Sequence, residues 1–254
     1  MKAGKRVFWP LVFLFLPWLW LVAGRAGSQV PGKETDFAVY YGKSWENARS
    51  FVAENSSWMG SLAREAGVDP AMAVAVVFPE LVRYDALRDR MELTLLKTLY
   101  AHFGREYADF SVGRFQIKPS CAEDILRELR DGGPRKLERQ LRHRHRGASD
   151  YALRTAILRD LEEPRTQFLY VVAVIKILDR RFPHLGHREN NVKIPFYATA
   201  YNCGFMNSED YILKQMGERN FHTRLMRPAQ CLSYAAIAEA YFREAAGSGH
   251  SLSP

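Results

Sequence analysis

Two long apolar stretches, each preceded by residues that favour the start of a helix, most constrain how this chain can fold. The first, AMAVAVVF, follows Asp69 and Pro70, which suit the N-cap and the first residue of an α-helix. The second, FLYVVAVIKILDRRF, follows Glu163-Pro164. A helix that is apolar on most sides has to be buried. The pattern from residue 57 onward is helical almost throughout, so the sequence predicts a mainly α fold with at most a minimal β element.

Residues 1–28 have the build of a secretory signal peptide. Lys2, Lys5 and Arg6 precede an uncharged run over 7–23, and small residues follow it. As a helix this run would be about 26 Å long, short of the roughly 30 Å core of a bilayer. We therefore expect export, with cleavage near residues 26–28. Contact with a membrane is expected only if the segment is retained as an anchor.

The remaining chain divides into an N-terminal extension over 29–56, one helical domain over 57–246 and a tail over 247–254. The full chain carries 36 Lys and Arg against 28 Asp and Glu, and removal of residues 1–28 leaves a net charge of +4. Much of that excess lies in the basic stretch 127–146, which we interpret as a mobile charged loop. This distribution argues against a nucleic-acid partner. The unassigned segments 29–56 and 127–146 leave room for a protein partner in the cell envelope.

Cysteine and histidine give little indication of a metal site. An exported chain permits a disulfide, but the three cysteines, Cys121, Cys203 and Cys231, are odd in number and their pairing stays open. No CxxC or paired His/Cys spacing occurs. His143 and His145 lie among arginines and are typical of a solvated face. We expect neither a metal nor a cofactor.

Glu80 is the residue that most strongly suggests chemistry. It lies near the end of the first apolar stretch, and partial desolvation there would raise the pKa of its carboxyl toward the range of a general acid. Pro79 cannot donate a main-chain hydrogen bond, so it is expected to end or kink the helix and to direct Glu80 into a cleft. The alternative is a helix-end glutamate that pairs with Arg83 or points into water.

Four motifs in order resemble those of the lysozyme-like lytic transglycosylases of the soluble type, which are related to goose-type lysozymes. The resemblance spans roughly residues 62–206. The motifs are Val68-Asp69-Pro70 through Glu80, then Gly113-Arg114-Phe115-Gln116-Ile117 with Pro119, then Glu163-Pro164 with its apolar run, and finally Ala200-Tyr201-Asn202-Cys203-Gly204.

The resemblance implies a lysozyme-like helical domain in the periplasm or cell envelope that cleaves peptidoglycan glycan strands between N-acetylmuramic acid and N-acetylglucosamine. It also implies that Glu80 is both the acid and the base, since the 6-hydroxyl of the sugar attacks and closes a 1,6-anhydro ring. The implied substrate-binding residues are Gly113 in the turn, Gln116 and Asn202 through their amides, Tyr201 through a hydrogen bond to Glu80 or the sugar, and Phe115 against a sugar face.

Each of these substrate contacts has a simpler alternative. Phe115 can fill the core, Tyr201 can be a buried helix tyrosine, and Gln116 can brace its own turn. The chain also departs from the family pattern. Leu81 replaces the usual serine after the glutamate, and Cys203 replaces an alanine. The third motif lacks its asparagine and glycine, the segment 86–102 adds a helix, and the basic stretch has no counterpart. We interpret the chain as a divergent member.

Two other functions remain open on the same fold. One is a muramidase that hydrolyses the same bond with a second carboxylate, Asp85 or Asp109, although Asp85 is more simply read as a cap or an ion-pair partner. The other is a catalytically silent peptidoglycan-binding or envelope-scaffold protein, which the altered motifs would suit.

Overall fold

The computed structural model describes residues 35–84, 86–142, 149–221 and 232–247, without the side chains of 86–93 and 142. The chain separates into two units, residues Met1–Thr35 and Asp36–Pro254. The predicted signal segment 1–28, Asp85, His143, His145, Cys231 and residues 248–254 of the tail lie outside the described residues. None of the helices in the described ranges is both long and apolar enough to cross a bilayer.

The second unit is mainly α, as predicted, and within the described residues its β structure is limited to two isolated antiparallel bridges, Val112 with Ile117 and Phe221 with Leu232. The described helices are α1 Phe37–Tyr41, α2 Lys43–Glu65, α3 Pro70–Arg83, α4 Ala86–Phe103, α5 Pro119–Arg130, α6 Arg135–Arg142, α7 Asp150–Glu162, α8 Pro164–Arg181, α9 Pro183–Gly186, α10 Asn190–Cys203, α11 Glu209–Met216 and α12 Tyr234–Gly247.

The two apolar stretches form the central helices α3 and α8. Every residue of α3 from Met72 to Val82 is buried, and the helix packs against α2, α10 and α12. The α8 helix packs against α2, α5 and α7. The predicted start of α3 is confirmed, because the Asp69 carboxylate accepts a hydrogen bond from the main-chain N–H of Ala71 at 2.8 Å and Pro70 is the first helical residue.

Pro79 does not end α3, which continues to Arg83. A proline inside a helix removes one main-chain hydrogen bond. Here the neighbouring residues are buried on all sides of the helix, and the burial of that apolar surface outweighs the loss. Glu80 therefore lies within the last turn of a helix and not beyond its end.

The boundary expected at residue 57 falls inside α2, so residues 36–56 belong to the helical unit. Trp45 of α2 is 2% exposed and its ring meets Phe78 of α3 edge-on at 4.8 Å. Its indole N–H donates to Glu244 of α12 at 3.0 Å. The segment is held because its buried residues recur every three, four or seven positions and form one apolar face.

The basic stretch 127–146 is not a loop over most of its length. It contains the end of α5 and all of α6, while residues 143–148 lie outside the described ranges. Leu137 and Leu141 are spaced one helical turn apart and are buried at 2% and 0% exposure. Their burial holds α6 against α5 and α8, and Arg135, Lys136 and Arg139 are exposed on the other side of the helix.

Candidate active site

Glu80 is buried, with 3% of its surface exposed, and forms an ion pair with Arg83. Its Oε2 atom lies 2.6 Å from Nη2 of Arg83, one turn further along α3. Burial raises the pKa of the Glu80 carboxyl from 4.5 to about 7, although the charge and hydrogen bond of Arg83 act in the opposite direction. The two structural alternatives for Glu80, desolvation and pairing with Arg83, therefore do not exclude each other, because the carboxyl is buried and also lies against Arg83.

Tyr234, the first residue of α12, brings a phenol to the same carboxyl. Its hydroxyl is buried and makes no hydrogen bond of regular geometry within the described residues, yet it is near enough to Glu80 to lower the pKa of that carboxyl. Burial, followed by the nearby Glu80 charge, raises the pKa of Tyr234 well above its ordinary value, so the phenol stays protonated and can donate. Tyr234 is not among the residues predicted from the sequence. Nothing within its own segment marks it, since the residue it serves lies 154 positions earlier in the chain.

Tyr201 of α10 does not bind the Glu80 carboxyl as the resemblance implied. Its hydroxyl donates to the main-chain oxygen of Phe115 at 2.6 Å. Burial raises the pKa of Tyr201 well above its usual range, and the charge of Glu80 adds to that rise, so the two groups are electrostatic neighbours. The hydroxyl therefore holds the turn over 113–116 and does not orient the Glu80 carboxyl.

The turn over 113–116 is bonded to α8 as well as to α10. The Gln167 side chain of α8 accepts from the N–H of Phe115 at 3.1 Å and donates to the carbonyl of Val112. Gln116 has φ of +52° and its amide donates to the Gly113 carbonyl at 2.7 Å. That amide N–H braces its own turn, as the simpler alternative held.

Gly113 is required by the backbone and by its neighbours. Its φ is +68°, a conformation that side chains with a Cβ rarely adopt. A Cβ at this position would also lie 2.5 Å from the main-chain oxygen of Leu161. The glycine therefore lets the turn approach the end of α7 closely, and its role in the site is to shape the backbone.

Phe115 does not offer a face to a sugar. It is 0% exposed and its ring packs against Phe51 and Phe168, with centroids 6.1 and 5.5 Å apart. The expectation that it contacts substrate is therefore wrong, because the bonds that hold its main chain also direct the ring into the core. Asn202 is exposed next to Tyr201, which leaves its amide open to a ligand.

No second carboxylate joins Glu80 among the residues that the structure describes. Asp109 accepts from Lys118 at 3.0 Å and from Ser120 at 2.7 Å, so its charge is already matched. Cys121 and Cys203 do not pair with each other. The described ranges also contain no group of three or more His, Cys, Asp or Glu side chains placed to hold a metal ion.

Comparison of the sequence with protein-family models finds no match. Comparison with curated proteins gives no match either. The same is true of the comparison with solved structures.

Proposed function

We propose that this protein is an exported peptidoglycan lytic transglycosylase, a divergent member of the soluble, lysozyme-like type related to goose-type lysozymes. The observation that carries the proposal is the buried Glu80 carboxyl, whose pKa is raised to about 7 beside Arg83 and Tyr234. A carboxyl that titrates near neutral pH can both donate and accept a proton there. The order of the four sequence motifs supports the same assignment.

In the first step, protonated Glu80 donates its proton to the oxygen that links C1 of N-acetylmuramic acid to C4 of N-acetylglucosamine. The C1–O bond breaks, and the departing N-acetylglucosamine keeps the proton as its 4-hydroxyl. Positive charge develops on the muramic acid ring as the bond lengthens. Arg83 and Tyr234 stabilise the Glu80 carboxylate that this step leaves behind.

In the second step, the 6-hydroxyl of the muramic acid attacks C1 and forms the 1,6-anhydro ring. The Glu80 carboxylate accepts the proton of that hydroxyl and returns to its starting state. One residue therefore supplies both proton transfers, and neither water nor a second carboxylate enters the reaction. The matched charge of Asp109 agrees with this route, because its carboxylate is already bound by Lys118 and Ser120.

The turn over 113–116 and α10 would form the adjoining wall of the substrate groove. Tyr201 and Gln167 hold the turn, and the exposed amide of Asn202 is placed to bond an acetamido or hydroxyl group. These residues would fix the sugar relative to Glu80, since orientation of the reacting groups is a large part of catalysis.

The test is mass spectrometry of the soluble products after the purified protein digests peptidoglycan sacculi. We expect 1,6-anhydro ends from the unaltered protein and no fragments from Glu80→Gln. Reducing ends would instead establish a muramidase and contradict the lyase. A folded Glu80→Gln variant that releases as many fragments as the parent would remove Glu80 from the chemistry altogether.

One observation favours a second candidate, a catalytically silent peptidoglycan-binding protein. The 2.6 Å contact with Arg83 occupies an oxygen of Glu80 and favours the ionised form, which cannot act as an acid. Under this alternative the protein binds sacculi, releases nothing, and binds them equally well after Glu80→Gln.

A further inference from the structure

Arg114 is an arginine in the turn over 113–116 whose guanidinium rests on aromatic rings. Its Cζ atom lies 4.8 Å from the centroid of the Phe51 ring and 4.5 Å from that of the Tyr84 ring. Each contact is a cation–π interaction, which holds the guanidinium without using its N–H donors. The side chain is therefore positioned while its hydrogen-bonding capacity is left available.

Arg114 has no ion pair and donates no hydrogen bond within the part of the chain that the structure describes. Other arginines around the domain are matched, for example Arg105 with Asp124 at 2.8 Å. A half-buried guanidinium that lacks a counter-ion is an attractive site for an anion, and its planar fork fits the two oxygens of a carboxylate.

This guanidinium lies beside the candidate active site. Tyr84 directly follows Arg83, the ion-pair partner of Glu80, at the end of α3. On the other side, Arg114 directly precedes Phe115, whose carbonyl accepts the Tyr201 hydroxyl. The turn that carries Arg114 is therefore bonded to α10 through Tyr201, and its guanidinium rests on Tyr84, which directly follows the helix of Glu80. A ligand bound across Glu80 would pass close to it.

We propose that Arg114 binds a carboxylate of the peptide stem that a peptidoglycan strand carries. This inference rests on the proposed function. The sugar backbone of such a strand is uncharged where the lactyl group of muramic acid is joined to a peptide, so its negative charge lies in the stem. Arg114 gives the groove a preference for strands with stems over uncharged strands, and Phe51 and Tyr84 hold the guanidinium for this contact.

The experiment measures binding in a Glu80→Gln background, so that no ligand is consumed. Arg114→Met removes the charge and keeps an apolar chain against the two rings. Arg159→Met, an exposed arginine on α7, is the matched control. Three soluble ligands are compared by calorimetry: a disaccharide with its peptide stem, a strand fragment stripped of stems that carries free lactyl carboxylates, and an uncharged N-acetylglucosamine oligomer.

We expect Arg114→Met to weaken binding of the stem-bearing ligand by about tenfold, the size of one charge-assisted hydrogen bond, and to leave binding of the uncharged oligomer unchanged. Equal weakening for all three ligands, or none for any, would overturn the proposal. A loss confined to the stripped fragment would overturn the assignment to the stem and identify the lactyl carboxylate instead.

Arg114→Lys provides a second variant that keeps the charge without the planar fork. It is expected to restore part of the lost affinity, and it carries the test if Arg114→Met does not fold. The binding measurements do not require cleavage of the ligand. If the parent protein releases no fragments from sacculi, the proposed function is contradicted. If the parent cleaves but Arg114→Met has no effect on binding of the stem-bearing ligand, only this inference is contradicted.

Discussion

The surroundings of Glu80 act on its carboxyl in opposite directions. Burial favours the protonated form and is the largest effect, whereas Arg83 and Tyr234 favour the ionised form. The outcome is a pKa of about 7 in the folded protein, compared with 4.5 for a free glutamate. In the folded state the Glu80 proton is therefore released only as the pH rises through neutrality. The stability of the fold should depend on pH for this reason, whether or not Glu80 is catalytic.

Replacing Glu80 by glutamine should make the free energy of unfolding less sensitive to pH. Because the pKa is raised in the folded state, the contribution of Glu80 to stability is fully present below pH 4.5 and is lost as the pH rises to about 7. The stability of Glu80→Gln relative to the parent should therefore increase by about 3 kcal/mol across that interval. Urea unfolding at a series of pH values measures the difference, and a difference that is constant with pH would contradict it.

Removing the Tyr234 hydroxyl should raise the pKa of Glu80 further, because the nearby phenol lowers that pKa. If glycan cleavage needs protonated Glu80, the fall in rate at high pH should move to higher pH in Tyr234→Phe. The pH–rate profile on sacculi measures the shift. Tyr241→Phe, on the same helix but stacked on Phe78, is the matched control and should leave the profile in place. A shift to lower pH in Tyr234→Phe would contradict the assignment.

At this scale the sequence predicted the partly desolvated carboxyl of Glu80, but it did not predict most of the residues that surround this carboxyl. Glu80 could be found because an apolar helix with one carboxylate is a local pattern. Tyr234 could not, because its importance arises from a contact across 154 positions. Phe115 was misassigned for a related reason. A motif predicts which residue lies in a turn. Whether the ring of Phe115 is buried depends on Phe51 and Phe168, which belong to other helices.

The turn over 113–116 is bonded to both α8 and α10, and its glycine can be compared directly with Gly67. Gly113 and Gly67 share nearly the same backbone conformation, with φ of +68° and +69°. Gly67 has open space around it, whereas a Cβ at Gly113 would lie 2.5 Å from a main-chain oxygen. The pair therefore separates the cost of the backbone conformation from the cost of the collision.

Gly67→Ala should destabilise the protein by about 1 kcal/mol, the cost of a left-handed alanine. Gly113→Ala should add about 1–3 kcal/mol to that figure, because the backbone of α7 or of the turn has to move. Chemical denaturation measures both variants. Equal losses at the two positions would show that the turn can relax away from Leu161 without cost.

The helices differ in how clearly their sequences indicate them. The cap of α3 at Asp69 and the apolar runs of α3 and α8 are local and strong, and the structure agrees with them. The helix α6 was hidden because Leu137 and Leu141 are its only two buried apolar residues among arginines. Its packing face exists only once α5 and α8 are in place.

The candidate site exists only in the assembled unit, because it is made from widely separated parts of the chain. Glu80 comes from α3, Tyr201 from α10 and Tyr234 from α12, and each of these helices packs against the other two. The position of Tyr234 relative to Glu80 therefore depends on how well α12 is held on α3. Two aromatic contacts to Phe78 of α3 contribute to that, from Trp45 of α2 and from Tyr241 of α12.

The N-terminal helices should accordingly be required for the site as well as for stability. Trp45→Ala should cost about 3–5 kcal/mol, since it removes a buried indole and its hydrogen bond to Glu244. Trp45→Phe should recover most of this loss because it keeps an aromatic ring against Phe78. Denaturant unfolding measures the two variants.

Truncation tests whether the whole helical unit requires its N-terminal helices. A chain that begins at residue 57 loses α1 and more than half of α2, including Trp45 and the buried Val52, and exposes the face of α3 that they cover. It should fail to unfold cooperatively, in contrast to the full chain. If the shorter chain kept both a cooperative transition and the pH-dependent contribution of Glu80, the burial that raises the pKa of Glu80 would have to come from α8, α10 and α12 alone.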